Sequence, residues 1–325
     1  MTSETLTNDD IIRMVKNHEI RKLLQERLKS APIVMLDKHQ INFDAEDVDE
    51  FYRQKAKEEL RETPEIVAQG FKELKELLAE EPDINFLDSE EIFIIFLRTC
   101  KWYAQSAFSL MKRFIRFNQN YPNVYKNLKP SIEKTALCAG LIFPLPLRGT
   151  DGCRIFIIEL GKRWKPKEVS LEQIFKGLIL CTHAAMMEPK TQITGGRVIL
   201  DFEGLSLSQV TYFTPSFAKM VADFVQKAFP LRLKSIHVVN QSFLFNMIFA
   251  LFKPLLEEKF RKRIHFHGTN WGSLATFINK SVLLKKYGGE LDLIDYSFCT
   301  NLWQIFCFFD PIFEVFEEIT SLPKN

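Results

Sequence analysis

The stretch from residue 197 to residue 267 constrains the fold most. It reads RVILDFEGLSLSQVTYFTPSFAKMVADFVQKAFPLRLKSIHVVNQSFLFNMIFALFKPLLEEKFRKRIHFH. Two short β-branched runs, residues 197–201 and 235–240, bracket a helical pattern over 214–229. Pro215 stands near its start and Pro230 closes it. A buried parallel strand, a crossover helix and a second parallel strand give this pattern. Residues 242–252, SFLFNMIFALF, stand apart. They are too apolar for an ordinary surface helix, and too short to cross a bilayer, which needs roughly 20 apolar residues. What that segment faces is the central question of the sequence.

The rest of the chain supplies the frame. Helical apolar spacing occurs at Ile11, Ile12 and Val15, at Leu23, Leu24 and Leu28, and along 45–80, where Pro64 after Thr63 suits a helix start. Residues 89–99 and 104–120 read as two further helices. Ser89 with acidic residues after it suits the first N-terminus, and Tyr121-Pro122 ends the second. Beyond residue 141 the pattern changes. Prolines 144 and 146 precede a Gly149-Thr150-Asp151-Gly152 turn, a strand at 154–159 and an apolar helix at 171–187. Strands alternating with helices imply an α/β unit with a largely parallel sheet. The boundaries expected are an all-helical unit over 1–135, an α/β unit over 136–290, and a Phe-rich helical tail over 291–325 packed back on it.

With 46% hydrophobic residues in 325, a large core is available. The near-balanced net charge of +2 argues against nucleic acid as a partner. Thirty phenylalanines suit a big core and equally an aromatic-lined cavity. The six cysteines sit in apolar runs without a CxxC pair, as in a reducing compartment, and the polar start does not read as a secretion signal. The expected location is therefore cytoplasmic.

Little in the sequence asks for a reaction. There is no GxSxG elbow, P-loop or dinucleotide GxGxxG. His265-x-His267 places two imidazoles on one strand face without a third ligand nearby, so no metal is expected. Cys181 and His183, two apart on a helix, point away from each other. Neither enzyme activity nor a cofactor is expected.

Several segments together resemble the CRAL-TRIO lipid-transfer family, of the tocopherol- and retinaldehyde-binding group. They are FLRTCKWYAQSAFSLMKRFIRFNQNYP, GTDGCRIFIIELGKRWKP, DFEGLSL, FPLRLKSIHVVNQ, FKPLLEEKFRKRIHFHG and KKYGG, in that order over most of 85–290. Two departures stand out: Gln241-Ser242 follows the second strand where a Pro is frequent, and the basic run after FLR is thinned to Thr99-Cys100-Lys101. The resemblance implies an N-terminal helical bundle and a mostly parallel sheet flooring an apolar cavity under a mobile helical lid. Segment 242–252 then has two readings, a core helix in a large unit or a lid with apolar ligand on one side and membrane on the other.

By the same resemblance, the cavity would be lined by Phe175, Leu178 and Thr182 on one helix, Leu200 on a strand, and Val221, Phe224, Val225 and Phe229 on the next helix. Ile236, Phe245, Ile248 and Phe249 would complete it, with Thr182 as the candidate hydroxyl anchor. Basic residues at Arg232, Lys234, Lys259 and Arg263 match positions that hold phosphoinositide headgroups in some members. Spacing agrees: Arg232 and Lys234 lie on one side of an extended segment, and Lys259 and Arg263 on one helix face. The function implied is binding and transfer of a small hydrophobic ligand (a retinoid, tocopherol, carotenoid or other lipid), with phosphoinositide-assisted docking on membranes. The alternative is a phosphoinositide-binding trafficking adaptor without transferable cargo.

Overall fold

The computed structural model describes residues 19–81, 84, 86 and 88–320. The spacing at Ile11, Ile12 and Val15 lies outside them. The described residues begin with α1 (Ile20–Leu28) and a small antiparallel hairpin of β1 (Met35–Leu36) and β2 (His39–Gln40). The expected helical region at 45–80 forms two helices, α2 (Glu50–Leu60) and α3 (Pro64–Glu80). Arg61, left-handed at φ 65, ends α2. Thr63 then caps α3, with Pro64 in its first turn, where a missing N–H costs nothing. Helices α4 (Glu90–Thr99) and α5 (Ala104–Asn120) match their sequence bounds closely. Ser89 takes the N-cap position of α4, but its hydroxyl makes no capping bond.

The main sheet has the order β3-β4-β5-β6-β7. Strands β4 (Arg154–Glu159), β5 (Gly196–Asp201), β6 (Leu233–Val239) and β7 (Ile264–Gly268) are parallel. Strand β3 (Ile142–Pro144) is an antiparallel edge that the sequence pattern did not mark. Pro144 is tolerated there because an edge residue need not donate to a ladder. The register sets Val198, Ile236 and Ile264 side by side, and Ile158, Leu200, Val238 and Phe266 in the next row of the same face. The intervening residues Ile157, Ile199, His237 and His265 form a row on the opposite face.

The crossovers are α6 (Leu171–Met186) with α7 (Pro189–Thr194), then α8 (Pro215–Asp223), then α9 (Phe243–Phe252) with the single-turn α10 (Glu258–Arg261). A Ser170–Gln173 capping box starts α6. Gly195, at φ +78, joins α7 to β5, and a Cβ there would stand 2.1 Å from the Arg232 carbonyl oxygen. Only glycine permits both the conformation and the close approach. The Phe-rich tail is two helices, α11 (Phe298–Cys307) and α12 (Asp310–Thr320), with Pro311 in the first turn of the second. Phe316 of α12 packs edge-on to Phe114 of α5, so one continuous core joins the early helices, the sheet and the tail.

Candidate functional site

Between the Val198–Ile236–Ile264 face of the sheet and helices α6, α8 and α9 lies a cavity of about 190 Å³. Every side chain on its wall is aliphatic or aromatic. Filling such a void is favourable: at about 24 cal/mol per Å³, an empty one costs roughly 4–5 kcal/mol relative to a filled core. Ten of the twelve residues expected from the sequence reach this wall: Phe175, Leu178, Leu200, Val221, Val225, Phe229, Ile236, Phe245, Ile248 and Phe249.

Two do not. Thr182 is buried further along α6, and its hydroxyl donates to the Leu178 carbonyl one turn back (2.8 Å). The polar anchor expected there is already used by its own helix. Phe224 packs between Phe117, Phe175 and Phe229 instead. From Phe224 to Ala228 the chain forms a π turn. The wider turn rotates the helix face, turning Phe224 away while Val225, four residues after Val221, stays on the wall. Among the wall residues the sequence did not single out are Val198, Val238 and Ile264, which strand alternation from Leu200 and Ile236 could have supplied. Phe260 of α10 is another, bringing the basic segment up to the cavity.

Helix α9 covers the cavity. Phe245 and Ile248 are buried beneath it, with Phe245 against Phe202 (4.8 Å between centroids) and Phe249 (5.8 Å). Its outer side is also apolar: Phe243 is 73% exposed and Met247 45%. Beside it Phe266 of β7 is 46% exposed while touching Phe245 and Phe249. The core-helix reading is excluded, because one face of α9 is open to solvent. Side-chain amides hold both ends of the crossover. Gln226 donates to the Leu255 carbonyl (3.1 Å) and accepts from the Glu257 N–H (2.7 Å). Gln241 accepts from the Gly268 N–H (2.9 Å), and Ser242 caps the helix.

The four expected cations gather at the N-terminal edge of β6 and β7. The pairing of Ile236 with Ile264 sets Lys234 level with the end of α10, and Arg263 donates to the Leu233 carbonyl (2.9 Å). Arg232 and Lys234 are not free, however. Both donate to one oxygen of Glu59 on α2, at 2.7 and 2.6 Å. Arg232 also donates to the Ile193 carbonyl. Burial pushes the Glu59 carboxyl up, but hydrogen bonds from Lys234 and Arg232 outweigh it and hold the group at about 2. No local pattern points to this partner, 173 residues away from Arg232.

On the opposite face, His237 joins the His265–His267 pair. Ser235 Oγ meets His237 Nε2 (2.7 Å), His237 Nδ1 meets His267 Nε2 (3.0 Å), and His267 Nδ1 meets Ser273 Oγ (2.9 Å). Among the described residues no group of three His, Cys, Asp or Glu is arranged to hold a metal ion. On α6, His183 is sealed among Phe114, Phe313 and Phe316 and bonds Tyr125 Oη (3.0 Å), while burial pushes the Cys181 thiol up to about 12.

A mostly parallel sheet roofed by an apolar helix thus bounds a wholly apolar cavity, a shape suited to a hydrophobic molecule. Residues 139–289 match the CRAL/TRIO domain. Over 242 residues the chain is 33% identical to alpha-tocopherol transfer protein-like of Homo sapiens, covering 74% of this chain and 70% of that protein. It is 32% identical over 246 residues to clavesin-1 of Mus musculus, covering 74% and 69%. Clavesin-2 of Homo sapiens is 32% identical over 248 residues, covering 74% and 75%. The chain belongs to the CRAL-TRIO family of lipid-binding and lipid-transfer proteins. Among solved structures it is similar to Sfh5 at 12% identity and a TM-score of 0.40, covering 75% of this chain and 89% of that one, a likeness too distant to bear on the site.

Proposed function

We propose that the protein carries one small hydrophobic molecule in the cavity under α9 and exchanges it at membrane surfaces. The observation that carries this reading is the all-apolar wall, which selects for hydrocarbon and offers no polar anchor. The similarity to an alpha-tocopherol transfer protein-like chain supports an isoprenoid as the cargo class. Helix α9 is the lid. No helix among the described residues is long and apolar enough to span a bilayer, so docking is peripheral: Phe243, Met247 and Phe266 enter the interface. Each large apolar side chain moved out of water contributes roughly 1.5–3 kcal/mol. Arg232, Lys234, Lys259 and Arg263 grip phosphoinositide phosphates beside the lid's C-terminal hinge, with Arg suited to bidentate contact. The working location is the cytoplasm and its membrane surfaces.

A phosphoinositide-binding adaptor role is a second reading, supported by the cavity's size. About 190 Å³ is below the roughly 300–1,000 Å³ of ligand pockets, so an isoprenoid requires the wall to expand. Native mass spectrometry with solvent extraction separates the two. A stoichiometric apolar molecule released from or taken up by the protein is expected. No uptake from a panel of retinoids, carotenoids, tocopherols, sterols and phospholipids, with normal phosphoinositide vesicle binding, overturns the carrier reading in favour of the adaptor. Lys259→Ala with Arg263→Ala should abolish selective capture by phosphoinositide vesicles, and unchanged capture refutes the grip.

A further inference from the structure

The cationic rim is divided into unequal halves. Arg232 and Lys234 share the Glu59 carboxylate, whose second oxygen lies 3.5 Å from Lys55 on the same helix. Three cations thus surround one carboxylate, as they would surround a phosphate. The Arg232 side chain is only 13% exposed, and Glu59 and Lys234 are each 29% exposed, so this pair is poorly screened. Lys259 and Arg263 have no carboxylate partner among the described residues. Lys259 is solvent-exposed, and Arg263 donates only to a backbone carbonyl.

We infer that Glu59 is a specificity-determining residue of the rim, an internal counter-anion that an incoming phosphate must displace to occupy the Arg232–Lys234 half. This rests on the phosphate-binding reading given above. A headgroup with one phosphate is served by the open Lys259–Arg263 half and leaves Glu59 seated. A headgroup with two neighbouring phosphates reaches the inner half and exchanges a carboxylate for a group of greater charge and more acceptor oxygens. The rim therefore rewards multiple phosphates only to the extent that they outcompete Glu59. Because Glu59 rides on α2, displacement also removes a contact between that helix and the entrance of β6.

The test compares wild type, Glu59→Gln and Glu59→Asp, each checked for an unchanged urea midpoint. Probes are phosphatidylcholine vesicles carrying a bis-phosphorylated inositol lipid, vesicles carrying a mono-phosphorylated one, and soluble inositol trisphosphate. Glu59→Gln should bind the bis-phosphorylated vesicles about tenfold tighter than wild type, equivalent to about 1.4 kcal/mol. The gain on mono-phosphorylated vesicles should be smaller, and Glu59→Asp, which keeps the charge, should stay near wild type. A matching gain with soluble trisphosphate assigns recognition to the headgroup alone, whereas a gain confined to vesicles assigns it to membrane-presented phosphate; either supports the inference. In wild type, trisphosphate or vesicle binding should speed hydrogen exchange along α2. Equal or weaker binding by Glu59→Gln overturns the inference, and if Lys259→Ala with Arg263→Ala still loses vesicle capture, the phosphate grip itself stands. Equal binding of all these proteins to charged and uncharged vesicles overturns both.

Discussion

Along β6 the side chains alternate between two environments. Ile236 and Val238 face the cavity, where contacts are non-directional and space is left over. Ser235 and His237 face the other way, into a chain of hydrogen bonds that runs on through His267 to Ser273. One face is held by directional bonds that fix its geometry. The other is held by apolar contact, which tolerates rearrangement as long as area stays buried. If the cavity exchanges cargo as proposed, a sheet that stays put while its contents change is well served by this division.

Acid should break the comparison most. Burial, then the neighbouring His267, His265 and Arg197, push His237 down to about 3, and burial alone does the same to His183. Both are bases with lowered folded values, so the unfolded chain takes up the protons. Stability is fully present above about 6.5 and is lost as pH falls toward 3, at about 1.4 kcal/mol per pH unit for each group. Urea unfolding between about pH 6.5 and 5.5 reads the histidines before most of the carboxylates titrate. His237→Ala should flatten the curve by one group's share, and an unchanged slope refutes the assignment. At neutral pH, where the same variant removes the bonds that Ser235 Oγ and His267 Nε2 make to His237, it should cost about 2–3 kcal/mol. The smallest effect has the opposite sign. Val221→Phe, pointing into the cavity, should raise stability by about 1 kcal/mol and reduce cargo uptake, whereas overpacking a filled core costs about 1–3 kcal/mol. A destabilised Val221→Phe would show that the wall cannot use the extra volume.

Much of this frame could be read in the chain. Short β-branched runs marked β4, β5 and β6, and the 3.6-residue period marked α5 and α6 nearly to the residue, because both patterns are local. The misses have physical causes. Pro144 hid β3, since edge strands need not follow the rule against proline. The π turn at Phe224–Ala228 turns Phe224 off the cavity face that the family resemblance implied for it. Thr182 was the hydroxyl anchor the resemblance implied, but its hydroxyl is bonded to its own helix backbone. Glu59 meets Arg232 and Lys234, and His237 meets His267, across long stretches of chain, and no local pattern reports those contacts. Lys259 and Arg263 were legible as cations; that they form the unpaired half of the rim was not.

The parallel topology has a consequence for transport itself. Strand β6 finishes at one edge of the sheet and β7 starts at the other, so residues 240–263 must return across the cavity, and α9 is that return. A cover spliced at both ends into the floor it closes can swing but cannot depart. In the proposed cycle its reclosure is intramolecular. On the proposed carrier reading such a device has no built-in direction: it would equilibrate its cargo between the surfaces it visits, with net flow set by whichever surface is richer.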